Sequence, residues 1–265
     1  MRVGKQRDFF AETNVRHMVL TNMRFSVFLL FLSIVPVLAQ AGVPALLQTA
    51  VDKYAGDAER WAYTQTIISK DRQGKVEDEV VVRNDPSQPY DVQWTVLKIN
   101  GKDPTERQIE KYRKEHDKRR KSRHALGELL DLDKANLIEE TATTATYEVP
   151  LMKNDNQRLP PEKFRVTARV NKARQTLENV GVRLREAMRM ALVLKLKSGE
   201  ADMDFGVVDP QFAPPLIALR ADGEGSILFV RVGGNYSAAR TDFKRVKPYS
   251  ERISVKLAPL QFLDY

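Results

Sequence analysis

Asp202 and Asp204 stand two residues apart, so a strand would carry both carboxylates on one face, a spacing suited to general acid–base work. His116 and His124 lie eight apart in a charged stretch, and with His17 they are the chain's three histidines. Triad or metal chemistry would need partners that their neighbourhood lacks, and a solvated helix face accounts for both. The two aspartates flank a Ser198-Gly199 turn signal, where a solvent-facing hairpin end accounts for them equally well. The chain has no cysteine, which removes thiol catalysis, thiolate zinc sites, disulfides and lipidation at a cysteine. It also has no P-loop, no G-x-G-x-x-G and no H-E-x-x-H. These residues support no catalytic centre and imply no cofactor.

Other side chains could hold a ligand without altering it. Trp61 and Tyr63 alternate onto one face of a strand, and Val92, Trp94 and Val96 do so on another. In a curved antiparallel sheet they would line an apolar space; in a flat, filled one they would be plain core. Further on, Arg113, Lys114, Lys118, Arg119, Arg120 and Lys121 crowd one segment. Such a cluster would be drawn to an anionic membrane surface or an acidic partner, unless its own i,i+4 pairs balance it.

The charge of the whole chain narrows that choice. Its 265 residues are 42% hydrophobic and 29% charged, with a net charge of +8, an ordinary globular composition. Residues 1–41 hold five Lys or Arg against two Asp or Glu, so +5 remains beyond them. Lys102–Arg123 holds ten basic and five acidic residues, which accounts for all of that remainder. The excess is one local element, not the broad basic surface of a nucleic-acid binder.

Phe25–Leu38 is an apolar run of 14 residues, short for a membrane span, with Met23-Arg24 before it and Ala39-Gln40-Ala41 after it. That order is the pattern of a secretory signal peptide cleaved after Ala41, with translation starting at Met1, Met18 or Met23. The expectation is an exported, periplasmic protein whose residues 42–265 form one domain.

Pro44–Glu59 has the helical spacing Leu47, Val51, Tyr54. The period then changes to two: strands are expected at Trp61–Ile68, Val76–Arg83 and Asp91–Ile99, with turns at Arg72–Lys75 and Asn100-Gly101. Asp103-Pro104 looks like the start of a helix running to His124, with Asp103 as its cap. From Leu137 onward, short strands alternate with turn signals at Asn171-Lys172, Ser198-Gly199, Asp222-Gly223 and Gly233-Gly234-Asn235. The fold class is α+β: a strongly curved antiparallel sheet, or incomplete β-barrel, with an N-terminal helix and a helical lid or insertion.

The order of these elements, with Arg83 and Pro86 after the second strand, Trp94 early in the third and Gly101 in the turn after it, resembles the LolA/LolB-type periplasmic lipoprotein carriers. The resemblance implies an apolar cavity under a helical lid, a lipid or lipoprotein acyl chain as ligand, and a lid contact for Arg83. Two departures stand out: two residues separate Arg83 from Pro86, and the basic helix is long. The alternative is a periplasmic interaction protein with a solid core, whose basic helix docks on an acidic partner or membrane.

Overall fold

The computed structural model describes residues 44–121, 125–153, 160–190, 194–227 and 230–252. The signal-peptide segment and its cleavage point lie outside the described residues, as does His124. The elements run α1 (Ala45–Asp57), β1 (Trp61–Asp71), β2 (Val76–Asn84), β3 (Trp94–Ile99), α2 (Glu106–Lys121), α3 (Leu126–Leu129), β4 (Asn136–Glu140), β5 (Thr144–Glu148), β6 (Phe164–Asn171), β7 (Thr176–Leu184), β8 (Met188–Met190), β9 (Leu194–Phe205), β10 (Leu216–Ile227) and β11 (Val230–Arg245). All the strands join one open antiparallel sheet, in the order β3-β2-β1-β11-β10-β9-β7-β6-β5-β4, with β8 beside β9. The fold is α+β, as expected, and the sheet does not close into a barrel: β3 and β4 end it.

The last three strands are much longer than the sequence suggested. Ser198-Gly199, Asp222-Gly223 and Gly233-Gly234-Asn235 are not turns but lie inside β9, β10 and β11. Gly199 pairs with Gly223, and Gly223 with Gly234. A Cβ on Gly233 would stand 2.6 Å from the Gly223 carbonyl oxygen, and one on Gly234 would collide with that of Lys70. Gly233 and Gly234 let neighbouring backbones approach closely, a demand that a turn glycine imitates in sequence.

Cross-strand partners point to the same side of a sheet, so the register fixes its faces. Tyr147 pairs with Ala168, Ala168 with Val180, Val180 with Met203, and Met203 with Leu219. The same row continues through Ala238, Ile67 and Val80 to Ile99. Nine strands therefore share one apolar row, on what we call the inner face. Both long helices lie on it. Leu47, Ala50 and Val51 of α1 are buried with Val166, Ala168, Leu177 and Val180, and Ile109 and Tyr112 of α2 pack on Val80, Val82, Val96 and Ile99. On the outer face Arg183 pairs with Glu200 and Asp202 (3.1 and 2.8 Å), and Arg220 with Asp204.

Helix α2 does not start at Asp103-Pro104 as expected. Thr105 and Gln108 form a capping box: the Thr105 N–H donates to Gln108 Oε1 (2.9 Å), and the Gln108 N–H to the Thr105 hydroxyl (3.4 Å). Asp103 instead accepts from Lys98 at 2.6 Å.

Candidate functional site

The inner face is covered at its two ends and less so between. Val180 and Val80 are buried beneath α1 and α2, whereas Met203, Leu219 and Ile67 keep partial exposure. The next row, Val182, Ala201, Ala221, Tyr236 and Ser69, ends at Asp78 under α2. The two rows form a strip between the helices, which we call the trough, in which Met203, Leu219, Ile67 and Tyr236 alternate with the small side chains of Ala201, Ala221, Ala238 and Ser69. Its walls follow from sequence: α1 presents Leu47 and Val51 at i,i+4, and α2 presents Ile109, Tyr112 and His116 at i,i+3,i+7.

One end of the trough is closed by an aromatic plug. The Trp61 ring meets those of Phe212 and Phe243 edge-on, each with centroids 6.1 Å away. Arg245 lies between Trp61 and Phe212, 5.1 and 4.1 Å from their centroids, and pairs with Asp57 at the end of α1. Trp61 is 3% exposed, and its indole N–H and the Nη1 of Arg245 are buried without a hydrogen-bond partner. Trp61 is thus part of a plug, not a lining residue.

Beside the plug, the strands bulge. Tyr63 faces two residues of β11, Asp242 and Phe243, and Asp242 takes a left-handed φ of 51°. Beyond the bulge, Arg240 returns to the inner face opposite Gln65. Its guanidinium sits 4.3 Å over the Tyr63 ring and donates to Gln65 Oε1 (3.0 Å) and to the Leu216 carbonyl (3.5 Å).

The other residues singled out in the sequence disperse. Arg83 lies on the outer face, because Val82 takes the inward position opposite Gln65 and Val96. It donates to Thr64 Oγ1 (3.2 Å) and to the Asp242 carbonyl (3.0 Å), so it braces the bulge and makes no contact with the lid. Val92 precedes β3, in the loop after Pro89, and is 44% exposed; its alternation with Trp94 fails because that stretch is not strand. Trp94 and Val96 do face inward, but under α2: the Trp94 ring stacks on His116 with centroids 4.5 Å apart and 9° between planes. His116 is therefore not on a solvated face, and its spacing from Ile109 and Tyr112 was the available signal.

Of the basic cluster, Arg113, Lys114 and Lys118 are exposed, and Lys114 pairs with Glu110 at 2.6 Å; the side chains of Arg119, Arg120 and Lys121 lie outside the described residues. The opposite side of α2 is anchored. Tyr112 donates its hydroxyl to Asp78 Oδ2 at 2.5 Å, and burial together with that carboxylate pushes its phenol up to about 12. The helix is thus docked on the sheet through this face.

Asp202 and Asp204 each face an arginine on the outer face, and Asn179 also donates to Asp204 at 2.9 Å. A separate concavity of about 320 Å³ has a mixed lining, with Arg169, Arg174, Glu178 and Asp204 beside Leu177, Phe205, Val207 and Pro214.

No family model matches the chain, and no curated protein matches it. Among solved structures it is similar to a DUF1329 family protein from Desulfovibrio piger ATCC 29098, with 13% identity over 77% of this chain and 92% of that one, at a TM-score of 0.32. A likeness of that size carries no argument about function, which must come from the residues.

Proposed function

We propose that this protein is an exported carrier that holds a lipid or lipoprotein acyl chain in the trough between α1 and α2 and does no chemistry on it. One observation carries the reading: the apolar row is continuous across the sheet, buried under a helix at each end, and part-exposed at Met203, Leu219 and Ile67, with Ala238 buried among them. Apolar surface left open to water between two covers offers roughly 25 cal/mol per Å² to any chain that fills it. Residues 1–41, the signal-peptide segment read from the sequence, would direct its export.

The test is titration of a fluorescent acyl analogue into protein stripped of co-purified lipid. Saturable binding is expected, and Leu219→Glu on the trough floor should abolish it while the thermal transition survives. Absence of saturable binding overturns the reading. A second reading, docking of α2 on an acidic partner or membrane, is favoured by one fact. The stripe that anchors α2 leaves Arg113, Lys114 and Lys118 outward.

A further inference from the structure

We infer that the cargo is a long-chain carboxylate, with its anionic head held by Arg240; this rests on the trough reading above. The argument starts from how the half-buried arginines are neutralised. Arg60 pairs with Glu251 at 2.5 Å, Arg183 with Asp202 at 2.8 Å, and Arg245 with Asp57. Arg240 differs. Its donors reach the Gln65 amide oxygen and the Leu216 carbonyl, and among the described residues no carboxylate lies within ion-pair distance of it.

A partly desolvated cation is costly to leave without an anion, and here the cation is also held in place, with its plane on Tyr63 and one edge on Gln65. It stands at the plug end of the apolar floor. The neighbouring inner-face position on β11 is Ala238, paired with Ile67 and Leu219. From Arg240 to Gly234 the strand advances roughly 20 Å, the scale of an extended acyl chain. An amphiphile lying along β11 would thus put its head on Arg240 and its tail toward the paired glycines. One uncompensated guanidinium matches a monoanion. A phosphate with a second charge would need another free cation, and the nearest inner-face arginine, Arg245, is already paired with Asp57.

The experiment compares palmitate, hexadecanol and dodecyl phosphate as competitors against a neutral fluorescent acyl probe. It uses the wild-type chain, Arg240→Gln and Arg240→Lys. Palmitate should outcompete hexadecanol on the wild type, and Arg240→Gln should weaken palmitate about tenfold while leaving hexadecanol within about twofold. Arg240→Lys should recover part of the difference. The wild-type comparison stands even if a variant fails to fold. Equal binding of palmitate and hexadecanol overturns the head-group assignment and leaves the trough reading intact. Preference for dodecyl phosphate overturns the carboxylate. Failure of every ligand, the probe included, overturns the trough reading itself.

Discussion

The two helices that lie on the inner face are held in different ways. Helix α1 turns a full stripe inward: Leu47, Ala50 and Val51 are all essentially buried, with Leu46 and Tyr54 packed alongside, and Tyr54 meets Phe205 edge-on at 4.9 Å. Among the described side chains, helix α2 turns in Ile109, Tyr112 and His116, each half-buried, and exposes charged residues and Gln108. The first arrangement is ordinary core, in which the helix and the strands beneath it are stable only together. The second is a clasp, made of one aliphatic contact, one hydrogen bond and one ring stack. The difference teaches which wall of the trough is fixed and which can open at modest cost.

Breaking the fixed wall should have the largest effect. Leu47→Ala should lower stability by about 2–5 kcal/mol, since the side chain is fully buried and its site cannot collapse without moving α1. Denaturant unfolding checks it, and a loss comparable to that of the α2 variants would erase the contrast. Tyr112→Phe should cost about 1.5 kcal/mol, because Asp78 loses its donor at a half-exposed site. This contact also has a pH signature. The folded phenol lies near 12 against an ordinary 10.0, so its contribution is intact below pH 10 and fades between about pH 10 and 12. A difference titration of tyrosinate absorbance between wild type and Tyr112→Phe should show one phenol ionising near 12.

His116→Ala should cost about 1 kcal/mol and alter the emission of Trp94, whose ring face it uncovers. The smallest expected change is in Arg113→Gln with Lys114→Gln. Stability should move by less than about 0.5 kcal/mol, while cosedimentation with anionic vesicles falls at low salt and not at high salt. Unchanged sedimentation would leave the clasp without a membrane role.

Where the sequence was readable, local chemistry set the answer. The period change at Trp61, the hairpin through Gly74 and the Asn100-Gly101 turn, both of whose residues have positive φ, place α1, β1, β2 and the end of β3. Long-range geometry was not readable. Gly223, Gly233 and Gly234 carry ordinary turn composition, and only the pairing of their strands shows that a Cβ on Gly233 or Gly234 would strike a neighbouring backbone. The site suffered for the same reason. Trp94 and Tyr63 were found by alternation, but which arginine shares their face depends on register. Arg83 looked suitable from its position in the chain, and the pleat sends it outward. Arg240 looked ordinary, and it shares the inner face with Ala238, two residues away in an unbroken register, while the bulge at Asp242 brings Arg245 to that face as well.

The pairing of β1 with β11 has a consequence in time. Trp61 at the start of the sheet's central ladder meets Arg245 at its other end, so the trough floor joins the first strand of the chain to its last. A chain emerging in order has β1–β3 early, then β4–β10, but neither part has a complete floor until β11 arrives. Closing so distant a pair carries a loop-closure cost, because the intervening chain must lose its freedom before any contact repays it. Up to that moment the protein is two unjoined half-sheets with bare edges on β1 and β10. Until β11 pairs, the edges of β1 and β10 are the surfaces most open to misassociation.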